Sequence, residues 1–99
     1  MKLPPPCRFS IPSHVYYVIF DEKDDPIESV VILNFETGMF YSLDLVGLEF
    51  WKLAQKGFSL GDIIRCIKSL YEVDEKQLWS DIEELVLALV QAGLIIVEE

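Results

Sequence analysis

Between Val30 and Leu43 the chain reads V-V-I-L-N-F-E-T-G-M-F-Y-S-L, and no other stretch restricts the fold as much. β-Branched and aromatic residues on either side of N-F-E-T-G mark two strands joined by a short loop. Gly38 suits the left-handed position that such a loop, with its bulge, requires. The second of these strands, Met39 to Leu43, runs straight into Asp44, a good N-cap for a helix. A hairpin therefore feeds directly into the helical part of the chain.

Upstream, H-V-Y-Y-V-I-F from His14 to Phe20 predicts one more strand, broken by the charged D-E-K-D-D-P of residues 21 to 26. The next strand runs from about Ile27 to Phe35. It places Val31, Leu33 and Phe35 on one face and Val30, Ile32 and Asn34 on the other. Both faces are apolar near the middle, so both are expected to be at least partly covered. Residues 1 to 13 hold Pro4, Pro5, Pro6 and Pro12 and read as an extended lead-in outside the regular elements. Residues 14 to 99 then form a single domain.

Downstream, three helices are expected. The first runs from Leu45 to about Gln55 and ends at Gly57, with Val46, Phe50, Leu53, Ala54 and Trp51 as its apolar side. Ser59 caps the second, with Asp62 in the third helical position, and Ile63, Ile64, Ile67 and one of Leu70 or Tyr71 point inward. Asp74 and Gln77 repeat the cap for the third and longest helix, which reaches about Ala92 before Gly93, and L-I-I-V closes the chain as a short extended tail. Three strands followed by three helices make an α+β domain.

Composition limits what such a domain does. Eight basic residues stand against 17 acidic ones, a net charge of −9. That balance disfavours nucleic acid and anionic membranes, both of which are bound through Lys and Arg. Cys7, Cys66 and His14 fall short of the usual set of zinc ligands, and no nucleophile–base pair is present. No metal, cofactor or catalytic role is expected. The start lacks the apolar core of a signal peptide, and a soluble cytoplasmic protein is the expectation. A hydrophobic content of 52% implies either a rich core or apolar surface kept for a partner.

The third helix bears on that choice. At about 100° per residue, Leu78, Ile82, Leu85 and Leu89 form an ordinary core stripe. Trp79, Val86 and Val90 fall roughly 100° away with Glu83 at their border, so the apolar arc spans about 200°. Either this second stripe covers the sheet or it faces a partner. A helix leaning on a sheet edge leaves a cleft in which an extended peptide can pair as an added strand.

In this order, N-F-E-T-G-M-F-Y-S-L-D, V-G-L-E-F-W-K-L, a capped short helix and D-I-E-E-L-V-L-A-L-V-Q-A-G-L-I resemble the pyrroloquinoline quinone biosynthesis protein D (PqqD) family and the wider class of RiPP recognition elements. The resemblance spans about residues 14 to 97. It implies a winged helix-turn-helix-like fold that binds the leader of a ribosomally made precursor peptide and has no catalytic role. By position, Met39, Phe40, Tyr41, Ser42 and Leu43 would pair with the leader, and Trp79, Ile82, Glu83, Val86 and Val90 would line the helix side. The implied partners are the leader and a separate processing enzyme, with the leader peptidase of lasso peptide clusters favoured. The alternatives are a chaperone for a radical SAM enzyme and a structural subunit that dimerises through its sheet edge.

Overall fold

A computed structural model describes residues 3–20 and 28–99; the charged segment 21–26, Ile27 and the first two residues lie outside the described residues. In chain order the elements are β1 (Arg8–Ser10), β2 (Val15–Phe20), β3 (Ser29–Asn34), β4 (Met39–Asp44), α1 (Leu45–Gln55), α2 (Leu60–Leu70), α3 (Glu75–Gln91) and β5 (Ile96–Glu98). The three expected strands are β2, β3 and β4, an antiparallel sheet in that order, followed by the three expected helices. The α+β class holds.

The hairpin forms as its residues require. Asn34 pairs with Met39, Ile32 with Tyr41 and Val30 with Leu43. Gly38 takes φ 74° and donates its N–H to the Asn34 carbonyl at 2.7 Å. The Asn34 carboxamide oxygen accepts from the N–H groups of Glu36 and Thr37, so one side chain shapes the whole loop. Phe35 sits in this turn instead of ending the strand.

The proline-rich lead-in contains a strand that was not expected. Its prolines flank Arg8–Ser10 and leave those N–H groups free, and the C-terminal tail supplies the antiparallel partner, Phe9 opposite Val97. Cys7 and Phe9 are buried in the core, where the Phe9 ring meets the edge of Phe50 at 5.2 Å. The lead-in also serves α2. The carbonyls of Pro5 and Cys7 accept from Gly61 and Leu60, two first-turn donors that have no partner inside the helix.

One sheet face packs on the helices: Val30 and Ile32 are fully buried, and Val15, Tyr17, Ile19, Tyr41 and Leu43 pack against the core. Tyr17 meets Trp51 of α1 edge-on at 5.3 Å. The other face is partly covered at its middle, as expected, with Val31 and Leu33 half-buried. Tyr16, Val18, Phe20 and Phe40 are exposed on it, and the Tyr16 ring is tilted against Phe35 at 6.4 Å. Of the helices, α1 makes the main contact with this sheet, through β3 and β4.

The caps follow the sequence at α2 and α3. Ser59 Oγ accepts from Asp62 N–H at 3.3 Å, and Asp74 Oδ2 accepts from Gln77 N–H at 3.1 Å. Asp44 holds the extended N-cap conformation but its side chain makes no cap hydrogen bond. Leu45 turns the chain there instead, with φ 50°, a left-handed conformation that disfavours a side chain. On α2, Leu70 is exposed and Tyr71 half-buried.

Helix α3 is rotated from its expected seating. Its buried stripe is Leu78, Ile82, Val86 and Leu89, so Val86 belongs to the core and Leu85 moves to a half-buried flank. The spacing of four, four and three residues follows one helical face as closely as the expected stripe does, and packing on α1 and α2 chose between them.

Candidate functional site

Backbone pairing decides which groups of β4 are free. Phe35 N–H donates to the His14 carbonyl at 2.9 Å, in step with the β2–β3 register. In an antiparallel ladder bonded and unbonded pairs alternate, so Ser29, Val31 and Leu33 turn their N–H and C=O groups toward β2. Val30, Ile32 and Asn34 turn theirs toward β4, where they meet Leu43, Tyr41 and Met39. Phe40, Ser42 and Asp44 therefore aim their N–H and C=O groups at the free edge. This is an unsatisfied strand edge of the kind that accepts another strand.

Helix α3 runs beside that edge. At one end Ala92 O accepts from Asn34 Nδ2 at 2.8 Å, and Asn34 faces Met39, the first residue of β4. Beside it, Gly93 O lies 2.9 Å from His14 Nε2, which fits a donated ring N–H. At the other end Leu78, Ile82 and Leu85 share a hollow of about 410 Å³ with Val46 and Gly47, just past the last residue of β4. The helix thus runs antiparallel to the strand while packing chiefly on α1 and α2. The hollow beside Val46 and Gly47 lies between α1 and α3.

The sequence-predicted residues divide between the two sides of α3. Met39 and Phe40 are exposed, while Tyr41 and Leu43 turn inward. Of the five helix positions only Ile82 lines the hollow beside α1. Trp79 and Glu83 line a different hollow of about 810 Å³ with Leu3 and Pro5, where Glu83 Oε2 accepts from Leu3 N–H at 2.9 Å. Val90 borders Leu3, Pro4 and Pro12, and Val86 is fully buried. The second stripe of the wide apolar arc is met by the N-terminal segment, which the lead-in's bonds to α2 hold in place.

Val46, Gly47, Asp81 and Leu85, which the sequence reading did not assign to the site, also line the hollow beside α1. Gly47 carried a signal. Gly47 lies in the first turn of α1, where a glycine is disfavoured less than in a helix interior but still gives up side-chain packing. Gly47 has no positive φ to require it. Around the hollow Asp81 Oδ1 accepts from Gln77 Nε2 at 2.8 Å, and Asp74 caps the helix. Among the described residues no Lys or Arg pairs with either carboxylate.

The family described as coenzyme PQQ synthesis protein D (PqqD) matches residues 29–95, from the start of β3 to Ile95. The chain belongs to the PqqD family. Among solved structures it is similar to TbiB1 in complex with the TbiA(beta) leader peptide, with 29% identity and a TM-score of 0.72. That likeness covers 86% of this chain and 92% of TbiB1. No curated protein sequence matches the chain. The PqqD match takes in both β4 and α3 and leaves β1, β2 and β5 outside it. Among the described residues of this PqqD-family chain, no group of His, Cys, Asp and Glu could hold a metal ion, and no helix is long and apolar enough to cross a membrane.

Proposed function

We propose that this PqqD-family protein is a non-catalytic RiPP recognition element. It binds the leader of a ribosomally synthesised precursor as an added strand on β4 and presents the tethered precursor to a separate enzyme. The carrying observation is the free edge at Phe40, Ser42 and Asp44 with α3 laid alongside it. Similarity to TbiB1, solved with a leader peptide, supports the same reading.

The mechanism is delivery. Backbone pairing along β4 supplies affinity that depends little on sequence, and alternate leader side chains turn in toward α3 and are selected there. Ordering a disordered leader costs about 2–5 kcal/mol. A complex near 1 μM, about 8 kcal/mol net, therefore needs a few well-buried apolar anchors as well as the strand pairing. Once held, the precursor reaches the enzyme at a raised effective concentration. The favoured enzyme is the leader peptidase of lasso peptide clusters, acting in the cytoplasm. The family's description favours a second reading, a chaperone for a radical SAM enzyme. A dimer formed through β4 would occupy the same edge and would compete with the leader.

The test is a titration of fluorescent leader peptide, from a precursor gene beside this one, against a scrambled control. Saturable binding to the true leader alone is the expected result. No binding up to about 100 μM, weaker than about 5.5 kcal/mol, would remove the reading.

A further inference from the structure

The outer face of the β2–β3–β4 sheet carries more apolar surface than its strands need. Pairing sets Tyr16, Leu33 and Phe40 in one row across the three strands, and Val18 and Phe20 continue the face along β2. The Phe35 ring, from the hairpin turn, tilts against Tyr16 at 6.4 Å and extends the row. Tyr16, Phe35 and Phe40 are exposed by 58%, 65% and 67%. Thr would meet the strand preference as well as Tyr or Phe, so the fold does not call for rings in water here. A continuous apolar patch of this kind marks a contact surface.

Charge selects the occupant. Among the described residues, the strands of this sheet and the β3–β4 turn hold two carboxylates, Glu36 and Asp44, and no Lys or Arg. Glu36 is 70% exposed beside Phe35 at one end of the face, and Asp44 shares the row of Phe20 at the other. A second copy would set this acidic rim against its own like, on chains of net charge −9, and an anionic membrane is repelled in the same way. A protein whose apolar patch is framed by Lys and Arg matches both the centre and the rim.

We infer that this face docks the separate processing enzyme, through an apolar patch on the enzyme rimmed with basic residues. The inference rests on the leader-adaptor reading and goes further by giving the enzyme a surface apart from the leader's. Phe40 joins the two surfaces. Its N–H and C=O point at the free edge of β4, while its ring lies on the outer face. An enzyme seated there stands next to the strand that the leader would add.

The experiment measures two affinities of the full chain, one for fluorescent leader peptide and one for the purified leader peptidase encoded beside the precursor gene. Wild type is compared with Tyr16→Lys and Val18→Lys, both on β2 at the side of the sheet away from β4, with the thermal midpoint as the folding check. The peptidase is expected to bind the wild type, to weaken about tenfold or more with each variant and to weaken as salt is raised. Leader affinity should change less than about twofold, since β4 is untouched. Unchanged peptidase binding in both variants, no peptidase binding, or binding that tightens with salt overturns the docking face while leader binding stands. A wild-type dimer in sedimentation velocity that Val18→Lys dissolves assigns the face to a second copy and overturns it too. Loss of the folded state in both variants makes the exposed residues structural, with the same result. No leader binding to the wild type removes the adaptor reading, and the docking face with it.

Discussion

Asn34 Nδ2 donates to the carbonyl of Ala92 at 2.8 Å, tying the turn of the central hairpin to the C-terminal end of α3. The same side chain accepts from Glu36 and Thr37 through its oxygen, and it is almost wholly buried. One residue thus shapes the loop before β4 and holds the helix that faces β4. The spacing between the loop and the end of α3 depends on this contact. Gly93 takes φ 74°, and a Cβ on it would lie 3.1 Å from Asn34 Nδ2, which leaves little room for any other residue there.

Asn34→Ala should therefore destabilise the fold by about 1–2 kcal/mol, since it removes the partner of a part-buried carbonyl and of two loop N–H groups. Urea unfolding followed by circular dichroism measures this. A loss below about 0.5 kcal/mol, the range of an ordinary surface substitution, would contradict the link.

Ser42→Pro removes an N–H that points at the free edge and leaves the bonds of Tyr41 and Leu43 to β3 in place. Leader binding is expected to vanish while the thermal midpoint stays within a few degrees. Retained binding would move the peptide off β4.

The two flanks of α3 can be told apart by substitution. Leu85→Ala, on the flank beside α1, should weaken the leader about tenfold, or ~1.4 kcal/mol. Trp79→Ala lies on the flank met by Leu3 and Pro5 and should change binding much less. The reverse order would place the peptide on the stripe of Trp79, Glu83 and Val90.

Leu45 sits at φ 50° with an exposed side chain, a conformation that costs about 1–2 kcal/mol in any residue but glycine. Leu45→Gly should raise stability by up to about 1 kcal/mol, after the entropy that glycine loses on folding. A fall in the denaturant midpoint would show that the exposed Leu side chain contributes more than the strain removes.

Cys7 is fully buried, and burial first, then the Glu99 carboxylate, pushes its thiol up from the ordinary value. The folded state then binds the proton more tightly than the unfolded state. This contribution is full below about pH 8.5, the unfolded thiol value, and is lost as pH rises through the higher folded one. Iodoacetamide at pH 8 should modify the half-buried Cys66 in the native protein, and Cys7 only after denaturant is added. Equal native labelling would contradict the packing of β1.

Much of the fold was legible from short-range chemistry. The N-F-E-T-G turn, the caps at Ser59 and Asp74 and the stops at Gly57 and Gly93 each act within a few residues, and each formed where its residues require. Met39 to Leu43 was legible as a strand for the same reason. The β1–β5 pairing was not, because Phe9 and Val97 lie at opposite ends of the chain and three-residue strands carry almost no local signal. Nor was the rotation of α3. An apolar arc of about 200° is compatible with more than one seating, and a few tens of degrees decide whether Val86 or Leu85 is buried.

What the sequence by itself determined was the order of the three sheet strands and three helices, the caps and stops of α2 and α3, and a helix with more apolar surface than one packing face requires. Only the tertiary structure decided which segments border each flank of that helix. The N-terminal segment, fixed by Leu3 on Glu83 and by Pro5 and Cys7 on α2, takes the flank of Trp79 and Glu83, while α1 brings Gly47 against the other. Turns and caps are set by neighbouring residues. The choice between two apolar flanks depends on contacts between segments up to 80 residues apart, which local pattern does not encode.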